Sequence, residues 1–325
     1  MTLSLELICR AQHRLRGLVH RTPLIHSRAL SAHLGAPTYL KLECLQKTGS
    51  FKPRGAFNRI LEMSDDERKR GIVAVSGGNH AQGVAYAAHH LGLGATICMP
   101  ASTPQNYLDG TRGYGAEIVL CPDIKAAFAE AARLQQAGRV LVHPFDDPLV
   151  AAGQGTVGLE ILEDLPGATR IYVSIGGGGF IGGVATAIRT IKPEAKIIGV
   201  ETQGADAMSR SLAAGTLVEL PAITSIARTL GAPKVSDFTF RLVRELVKEV
   251  VVVDDAAAAR ALFLILERTK YLTEPAAACC LAAAEEQRAH FTDTDQIVLV
   301  LCGGNVSMQD LASYHTRFAN QKVSP

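Results

Sequence analysis

From residue 72 onward, short apolar runs alternate with longer segments that have helical periodicity. A first series of runs spans residues 72–75, 95–99, 117–120 and 140–142, and a second spans residues 171–175, 197–200, 250–253 and 297–301. Helical patterns, for example at residues 124–137 and 256–270, separate them. This alternation is typical of βαβ units, whose parallel strands form a sheet covered by helices. The two series therefore predict two α/β units in one chain.

The composition excludes several classes of protein. Hydrophobic residues make up 47% of the 325 residues and the net charge is only +2, so we expect no nucleic-acid partner. No apolar stretch of the sequence approaches membrane-spanning length, and charges interrupt residues 2–16, which predicts an amphipathic helix rather than a signal peptide. Seven cysteines without zinc-type spacing favour reduced thiols. We therefore expect a cytoplasmic protein with no membrane partner.

Lys52 stands in an unusual place for a lysine. Alternating apolar and charged residues at 39–43 predict a half-buried strand, and residues 56–63 have helical spacing. Lys52 lies in the connection, between Phe51 and Pro53, and a proline suits the first turn of a helix. One interpretation is a solvated surface lysine. The other is an amine held deprotonated by partial burial beside an aromatic ring, which can join covalently to an aldehyde cofactor.

Two glycine-rich segments follow apolar runs. One has the sequence Ser-Gly-Gly-Asn-His-Ala-Gln-Gly at residues 76–83, and the other has four consecutive glycines within residues 174–183. Bare backbone N–H groups at a helix N-terminus bind phosphate or carboxylate groups. Four consecutive glycines are costly unless something approaches them closely. We therefore expect a side chain at Gly177 or Gly178 to weaken ligand binding while the protein remains folded. Asn79 either caps a helix or donates to a phenolic oxygen.

Together these motifs resemble the signature of fold-type II pyridoxal-phosphate enzymes, specifically the serine/threonine dehydratase and serine racemase family. Segments at residues 20–24, 143–148, 152–160 and 301–305 extend the resemblance over nearly the whole chain. It implies a tryptophan synthase β-like α/β fold with two three-layer α/β/α domains and mainly parallel sheets. It also implies a small inserted domain at residues 70–147, a large cofactor-binding domain at residues 1–69 and 148–325, and a homodimer or homotetramer.

The resemblance also assigns residues to a site for pyridoxal 5′-phosphate and an amino-acid substrate. Lys52 is the catalytic residue and also holds the cofactor. The other implied cofactor-binding residues are Phe51, Asn79, Gly176, Gly177, Gly178, Gly179, Phe180 and Cys302, and the implied substrate-binding residues are Ser76, Gly77, Asn79 and His80. The family usually has a serine or threonine at the position of Cys302, facing the pyridine nitrogen. A thiol is a poorer hydrogen-bond partner for that nitrogen.

Two further positions depart from the family pattern. Relatives bind a divalent cation, and Glu201 and the Ala205 carbonyl match two of its protein ligands, whereas the third matching position is Ala207. Hard cations need several oxygen ligands, so binding of a divalent or monovalent cation stays open. Many threonine dehydratases have an acidic residue where Arg228 stands. Arg228 is either a surface residue or a substrate-pocket cation that favours an acidic or unusual β-hydroxy amino acid.

A nicotinamide site is an alternative for the second glycine segment in isolation. Gly177, Gly179 and Gly182 satisfy the G-x-G-x-x-G pattern, and Glu201 follows 19 residues later. An NAD-dependent oxidoreductase would not require Lys52 or the loop at residues 76–80. These two features favour pyridoxal phosphate.

Position 77 separates the reactions within the family. Racemases have a serine there, which acts as a second base on the face opposite the lysine, whereas Gly77 cannot move a proton. We therefore expect β-elimination: dehydration and deamination of L-threonine or L-serine to a 2-oxo acid and ammonia. The alternatives are a serine racemase, a dehydratase of hydroxyaspartate or phenylserine, and a non-catalytic cofactor-binding protein. The sequence ends 23 residues after Cys302, so we expect no C-terminal regulatory domain of the kind found in biosynthetic relatives.

Overall fold

The structure, a computed structural model, describes residues 2–318. Its strands are β1 (Leu24–His26), β2 (Thr38–Lys41), β3 (Ile72–Val75), β4 (Ala95–Pro100), β5 (Glu117–Cys121), β6 (Val140–Leu141), β7 (Arg170–Ser174), β8 (Lys196–Thr202), β9 (Glu249–Val253) and β10 (Ile297–Val300). Its α-helices are α1 (Leu5–Arg14), α2 (Arg28–Leu34), α3 (Lys52–Leu61), α4 (Asp65–Arg70), α5 (Asn79–His90), α6 (Gln105–Gly113), α7 (Ile124–Gln136), α8 (Pro148–Asp164), α9 (Gly179–Ile191), α10 (Ala207–Ala214), α11 (Asp237–Leu246), α12 (Asp255–Thr269), α13 (Pro275–Gln287) and α14 (Met308–Phe318). Short 3-10 helices lie at Glu43–Leu45, Lys47–Gly49, Arg228–Leu230 and Arg288–His290.

The strands form two sheets. The larger has the order β1-β2-β10-β7-β8-β9, and the smaller has the order β5-β4-β3-β6. Neighbouring strands are parallel throughout, except that β1 runs antiparallel to β2. At least one helix lies between every two consecutive strands of the described residues, so the predicted α/β class with mainly parallel sheets is confirmed. Each predicted series of apolar runs builds a different sheet, and the domain boundaries at residues 70 and 147 stay a prediction.

Burial explains why the central strands were recognisable in the sequence. Every residue of β3, β7 and β10 is buried, as expected of parallel strands that helices cover on both faces. The edge strand β5 instead carries exposed residues at Glu117 and Leu120. Within residues 2–318, no helix combines the length and the apolar character that crossing a membrane requires.

Close helix packing positions the start of α3, where Lys52 lies. Helix α8 lies against α3 at Gly153, where an added Cβ would overlap the backbone carbonyl of Arg54. The connection from β2 to α3 covers residues 42–51 and contains two 3-10 helices, and α3 begins at Lys52 itself, earlier than the helical spacing at residues 56–63 indicates. Pro53 occupies the first turn of α3, as predicted.

A buried ionic network ties α3 to β2 and α8. The Arg54 guanidinium donates to Glu43 at 2.8 Å and to Glu160 at 2.7 Å, and Lys41 Nζ donates to Glu160 at 2.6 Å. All four side chains are at most 7% exposed. Removing one partner would leave a buried charge uncompensated, at a cost of about 3–5 kcal/mol. The network therefore fixes the helix that begins with Lys52.

Candidate active site

The Lys52 amine lies at the N-terminus of α3, between an aromatic ring and a backbone carbonyl. Lys52 Nζ is 5.0 Å from the centroid of the Phe51 ring and donates to the Pro144 carbonyl oxygen at 3.3 Å. Burial lowers the pKa of Lys52 to about 8, against a smaller opposing effect of the nearby Cys302 and Glu274. A substantial fraction of the amine is therefore neutral near pH 7–8, as a nucleophile or base requires.

Three of the predicted cofactor-binding residues are in contact with one another. The rings of Phe51 and Phe180 stack with centroids 3.9 Å apart and planes inclined by 16°. The Phe51 N–H donates to the Cys302 carbonyl oxygen at 3.1 Å. The Cys302 thiol is buried and accepts from Ser174 Oγ at 3.3 Å, and burial raises its pKa well above the usual range. This thiol therefore stays protonated; it donates to the Ala276 carbonyl oxygen at 3.7 Å, and the same proton could be donated to a ring nitrogen instead.

Asn79 belongs to a polar cluster that the sequence analysis did not find. Its Nδ2 donates to Glu274 Oε1 at 2.8 Å, and its Oδ1 accepts from Asn305 Nδ2 at 2.9 Å. Thr229 Oγ1 donates to the same Glu274 oxygen at 3.0 Å. Burial raises the pKa of Glu274 to about 7, against the opposing effect of these two hydrogen bonds. The sequence marks Glu274 only as a carboxylate directly before Pro275, and its partner Asn79 lies 195 residues away.

The loop at residues 76–80 is held by its own hydrogen bonds. Ser76 Oγ accepts from the Gly78 N–H at 3.0 Å, and His80 Nε2 lies 2.9 Å from the Val142 carbonyl oxygen. Burial lowers the pKa of His80 to about 3, so its ring is neutral. A neutral ring donates to Val142 through Nε2, which leaves Nδ1 as an acceptor. His80 therefore has a structural role in this loop, and Asn79 is the first residue of α5.

The glycine loop at Gly176–Gly179 connects β7 to α9, as predicted, but its glycines are required by packing. An added Cβ at Gly177 would overlap the Phe145 ring, and one at Gly178 would lie 2.8 Å from Met208 Cε. Gly178 also has a φ of 90°, which side-chain-bearing residues rarely adopt. A side chain at Gly177 or Gly178 would therefore disturb packing as well as ligand binding, because protein atoms fill the space it would need. That such variants remain folded stays a prediction.

Unpartnered polar atoms show that these residues suit a bound polar ligand. Ser50 Oγ, His80 Nδ1 and Glu274 Oε2 are buried and have no hydrogen-bond partner among residues 2–318. Buried polar atoms are normally paired, so a ligand in this region would complete their bonding. A pyridoxal-phosphate-like molecule fits the donor set: Lys52 for an aldehyde, the N-terminus of α9 for a phosphate, and the Cys302 thiol for a ring nitrogen.

The predicted cation ligands are arranged differently. Glu201 Oε1 accepts from the Met208 N–H at 3.0 Å, and its Oε2 accepts from the Ser209 N–H at 2.7 Å, so the carboxylate caps α10. Burial raises the pKa of Glu201 to about 8. In the described part of the chain, no group of three or more His, Cys, Asp or Glu side chains could hold a metal ion. The residues at Glu201 and Ala205 do not fit a cation as they stand, and cation binding stays a prediction.

Arg228 has an exposed side chain. Its side chain is 61% exposed and lies 4.0 Å from Asp310, whereas the next residue, Thr229, points inward to Glu274. Arg228 lines a groove together with Tyr107 and Glu274. Its side chain is thus exposed and also borders this groove, and its role in substrate choice stays a prediction.

Comparison with known proteins assigns the family. Residues 15–303 match the family described as pyridoxal-phosphate dependent enzyme. The chain belongs to this family. Its cofactor is therefore pyridoxal phosphate, as predicted, and the nicotinamide alternative is set aside.

Individual relatives support this assignment. L-threonine ammonia-lyase of Thermotoga maritima is 48% identical over 251 residues, which are 77% of this chain and 63% of that protein. The chain thus spans less than two thirds of that relative. Maize serine racemase has a solved structure with 37% identity and a TM-score of 0.92, and the match covers 98% of each chain. The solved structure of a fungal L-serine ammonia-lyase from Rhizomucor miehei has 28% identity and a TM-score of 0.83, over 93% of this chain and 99% of that one. These neighbours confirm the predicted fold-type II architecture.

Proposed function

We propose that this chain catalyses the pyridoxal-phosphate-dependent β-elimination of a β-hydroxy amino acid, with L-threonine or L-serine as substrate. The products are a 2-oxo acid and ammonia. One observation carries the proposal: the half-buried Lys52, whose pKa is lowered to about 8, packs against Gly83 of α5, and the loop that leads into α5 has no side chain at Gly77. One base is enough for elimination, whereas racemisation needs a proton carrier on each face of the α-carbon.

In this mechanism Lys52 has two tasks. Its amine would hold the cofactor through the aldehyde, and the same amine, when free, would take the α-proton of the substrate. When bound, the cofactor would supply the electron sink that makes the α-proton acidic. Loss of water then gives an enamine product, which hydrolyses to the 2-oxo acid and ammonia.

The remaining roles follow the resemblance. Asn79, clamped by Glu274 and Asn305, would present its second Nδ2 proton to the cofactor's ring oxygen. The N–H groups of Gly176, Gly177, Gly178 and Gly179 would bind the phosphate, with Phe51, Phe180 and Cys302 around the ring. Ser76, Gly77, Asn79 and His80 would form the loop that receives the substrate carboxylate. Each of these roles is part of the proposal.

A serine racemase is the second candidate, because the maize serine racemase structure matches the chain over 98% of its length. Dehydration of hydroxyaspartate or phenylserine would use the same protein residues on a substrate with a different side chain. We further propose a homodimer or homotetramer, a cytoplasmic location and a small inserted domain at residues 70–147, all from the same resemblance. Light scattering of the purified protein measures the oligomer size.

A panel of β-hydroxy amino acids, with detection of 2-oxo acids, tests the proposal. We expect 2-oxobutanoate from L-threonine and pyruvate from L-serine, and slower release from hydroxyaspartate and phenylserine. Chiral chromatography of the serine reaction measures D-serine in the same sample. D-serine that forms as fast as pyruvate would show that another residue supplies a second base, and the elimination proposal would fall. A protein that binds the cofactor but releases no 2-oxo acid from any panel member would be non-catalytic.

A further inference from the structure

The hydroxyl group of Thr103 lies where Gly77 lacks a side chain. A Cβ added at Gly77 would be 2.7 Å from Thr103 Oγ1. Thr103 is only 8% exposed, and its hydroxyl finds no hydrogen-bond partner anywhere in residues 2–318. Because buried hydroxyl groups are normally paired, this one is suited to a ligand that enters from the loop at residues 76–79.

The backbone holds Thr103 in this position. Strands β3 and β4 are parallel neighbours, so the loops after Val75 and Pro100 leave the sheet at the same edge. The Thr103 N–H donates to the Pro100 carbonyl oxygen at 2.9 Å, and Pro104 then caps α6. The main chain on both sides of Thr103 is therefore constrained, whereas its hydroxyl is not engaged.

Two other polar side chains at this loop, Ser76 and Asn79, have hydrogen-bond partners within the chain, whereas His80 Nδ1 has none among the described residues. Ser76 Oγ accepts from the Gly78 N–H, and Asn79 is bonded through both its amide nitrogen and its oxygen. The N-terminus of α5 favours an anion at this point. A hydroxyl group that donates to a carboxylate forms a charge-assisted hydrogen bond, which is stronger than a bond between neutral groups.

We propose that Thr103 is a substrate-binding residue, whose hydroxyl donates to the carboxylate of the amino-acid substrate at the loop of residues 76–79. It takes the place of the side chain that Gly77 lacks. This inference rests on the proposed function, in which that loop receives the substrate carboxylate.

The geometry makes Gly77 and Thr103 a matched pair. A serine at position 77 would place its Cβ 2.7 Å from Thr103 Oγ1, which is closer than real Cβ contacts allow. The variant Gly77→Ser therefore conflicts with Thr103 and would displace it. In the double variant Gly77→Ser/Thr103→Ala the threonine hydroxyl group is absent, so the new serine side chain has room. The site then has one hydroxyl group again, carried by residue 77 instead of residue 103.

The test compares holoenzyme variants. Thr103→Val removes the hydroxyl group with little change in shape, Thr103→Ser keeps it, and Thr111→Val removes a second buried, unpartnered hydroxyl group as a matched control. We expect Thr103→Val to raise KM by about ten- to a hundredfold with kcat nearly unchanged. Thr103→Ser and Thr111→Val should keep KM near that of the unmodified protein. A further variant, Thr103→Ala, should raise KM as Thr103→Val does, and Gly77→Ser/Thr103→Ala should have a KM between those of Thr103→Ala and the unmodified protein.

Binding of L-alanine, which has a carboxylate but no β-hydroxyl group to eliminate, gives a readout without turnover. The change in the absorbance of the bound cofactor measures its Kd, which should rise in Thr103→Val by the same factor as KM. An unchanged Kd and KM in Thr103→Val, or a fall in kcat at constant KM, would overturn the role of Thr103. Failure of the unmodified protein to eliminate any β-hydroxy amino acid would instead overturn the proposed function, and the L-alanine titration would still decide the role of Thr103.

Discussion

The Asn79 side-chain amide donates to Glu274 Oε1 at 2.8 Å and so joins the N-terminus of α5 to that of α13. Asn305 donates to the opposite end of the same amide, so the orientation of Asn79 is fixed from both sides. Glu274 Oε2 remains buried and has no partner within the described residues. Glu274 is therefore the residue through which the proposed contact between Asn79 and the cofactor is held in place.

Substitutions of Glu274 should separate its hydrogen bonds from its charge. In Glu274→Gln the side-chain oxygen can still accept from Asn79 and Thr229, whereas Glu274→Ala leaves both donors without an acceptor. A buried donor without a partner costs about 1–3 kcal/mol. We expect Glu274→Ala to weaken cofactor binding about tenfold or more and Glu274→Gln to weaken it less. Absorbance titration of the cofactor-free protein measures both, and equal losses would contradict the orienting role.

Glu274 should also give the cofactor-free protein a pH-dependent stability. Burial raises its pKa from 4.5 to about 7, so between these values the folded state holds a proton that the unfolded state has lost. The free energy of unfolding should then fall by roughly 3 kcal/mol as pH rises from 4.5 to 7. Burial also raises the pKa of Glu201 to about 8, so Glu201 contributes a decrease of the unfolding free energy with rising pH as well. Urea unfolding at several pH values measures this dependence. The free energy of unfolding of Glu274→Gln should fall less steeply with pH than that of the unmodified protein, and equal pH dependences would contradict the raised pKa of Glu274.

Lys52 should capture the cofactor faster at higher pH. Because burial lowers its pKa to about 8, the reactive neutral amine becomes the major form as pH rises through that value. The rate at which the cofactor-free protein gains near-visible absorbance should rise from pH 6.5 and level off above pH 9, as expected for titration around that pKa. Lys52→Ala should lose this absorbance and at least about 10²–10⁴-fold of the turnover. Lys47→Ala, a nearby lysine on the preceding 3-10 helix, should keep both. Near-normal elimination by Lys52→Ala would end the assignment.

Local patterns predicted the sheets and the first residues of the site. The run at residues 72–75 matches β3 because continuous apolar residues are what a strand buried on both faces requires. Lys52 was identifiable from its immediate neighbours. Glu274 was missed because its partner Asn79 lies 195 residues away in the chain. Thr103 was missed because a threonine before a proline in a turn carries no sign of the loop packed against it.

The position of a residue in the sequence predicted its role less reliably than its contacts in the structure do. Glu201 matched a cation ligand by its place in the chain, but its oxygens accept the first N–H groups of α10. The start of that helix at Ala207 was not evident from the sequence. The glycine loop is a similar case, since the chain position of Gly177 indicates a phosphate site but not the Phe145 ring against it.

The pair of Gly177 and Phe145 allows packing to be separated from phosphate binding. A side chain at Gly177 would be directed at the half-buried Phe145 ring, so Gly177→Ala should destabilise the protein by about 1–3 kcal/mol. Phe145→Ala removes the obstacle, and the double variant Gly177→Ala/Phe145→Ala should therefore be as stable as Phe145→Ala alone. Its backbone N–H groups remain available, so its cofactor affinity should also match that of Phe145→Ala. Gly178→Ala is the contrasting variant, since its positive φ and its contacts with Met208 and Thr239 persist without Phe145. Thermal unfolding and cofactor titration of the four variants measure both properties. A double variant that is stable but binds the cofactor much more weakly than Phe145→Ala would show that the Cβ at position 177 obstructs the phosphate itself.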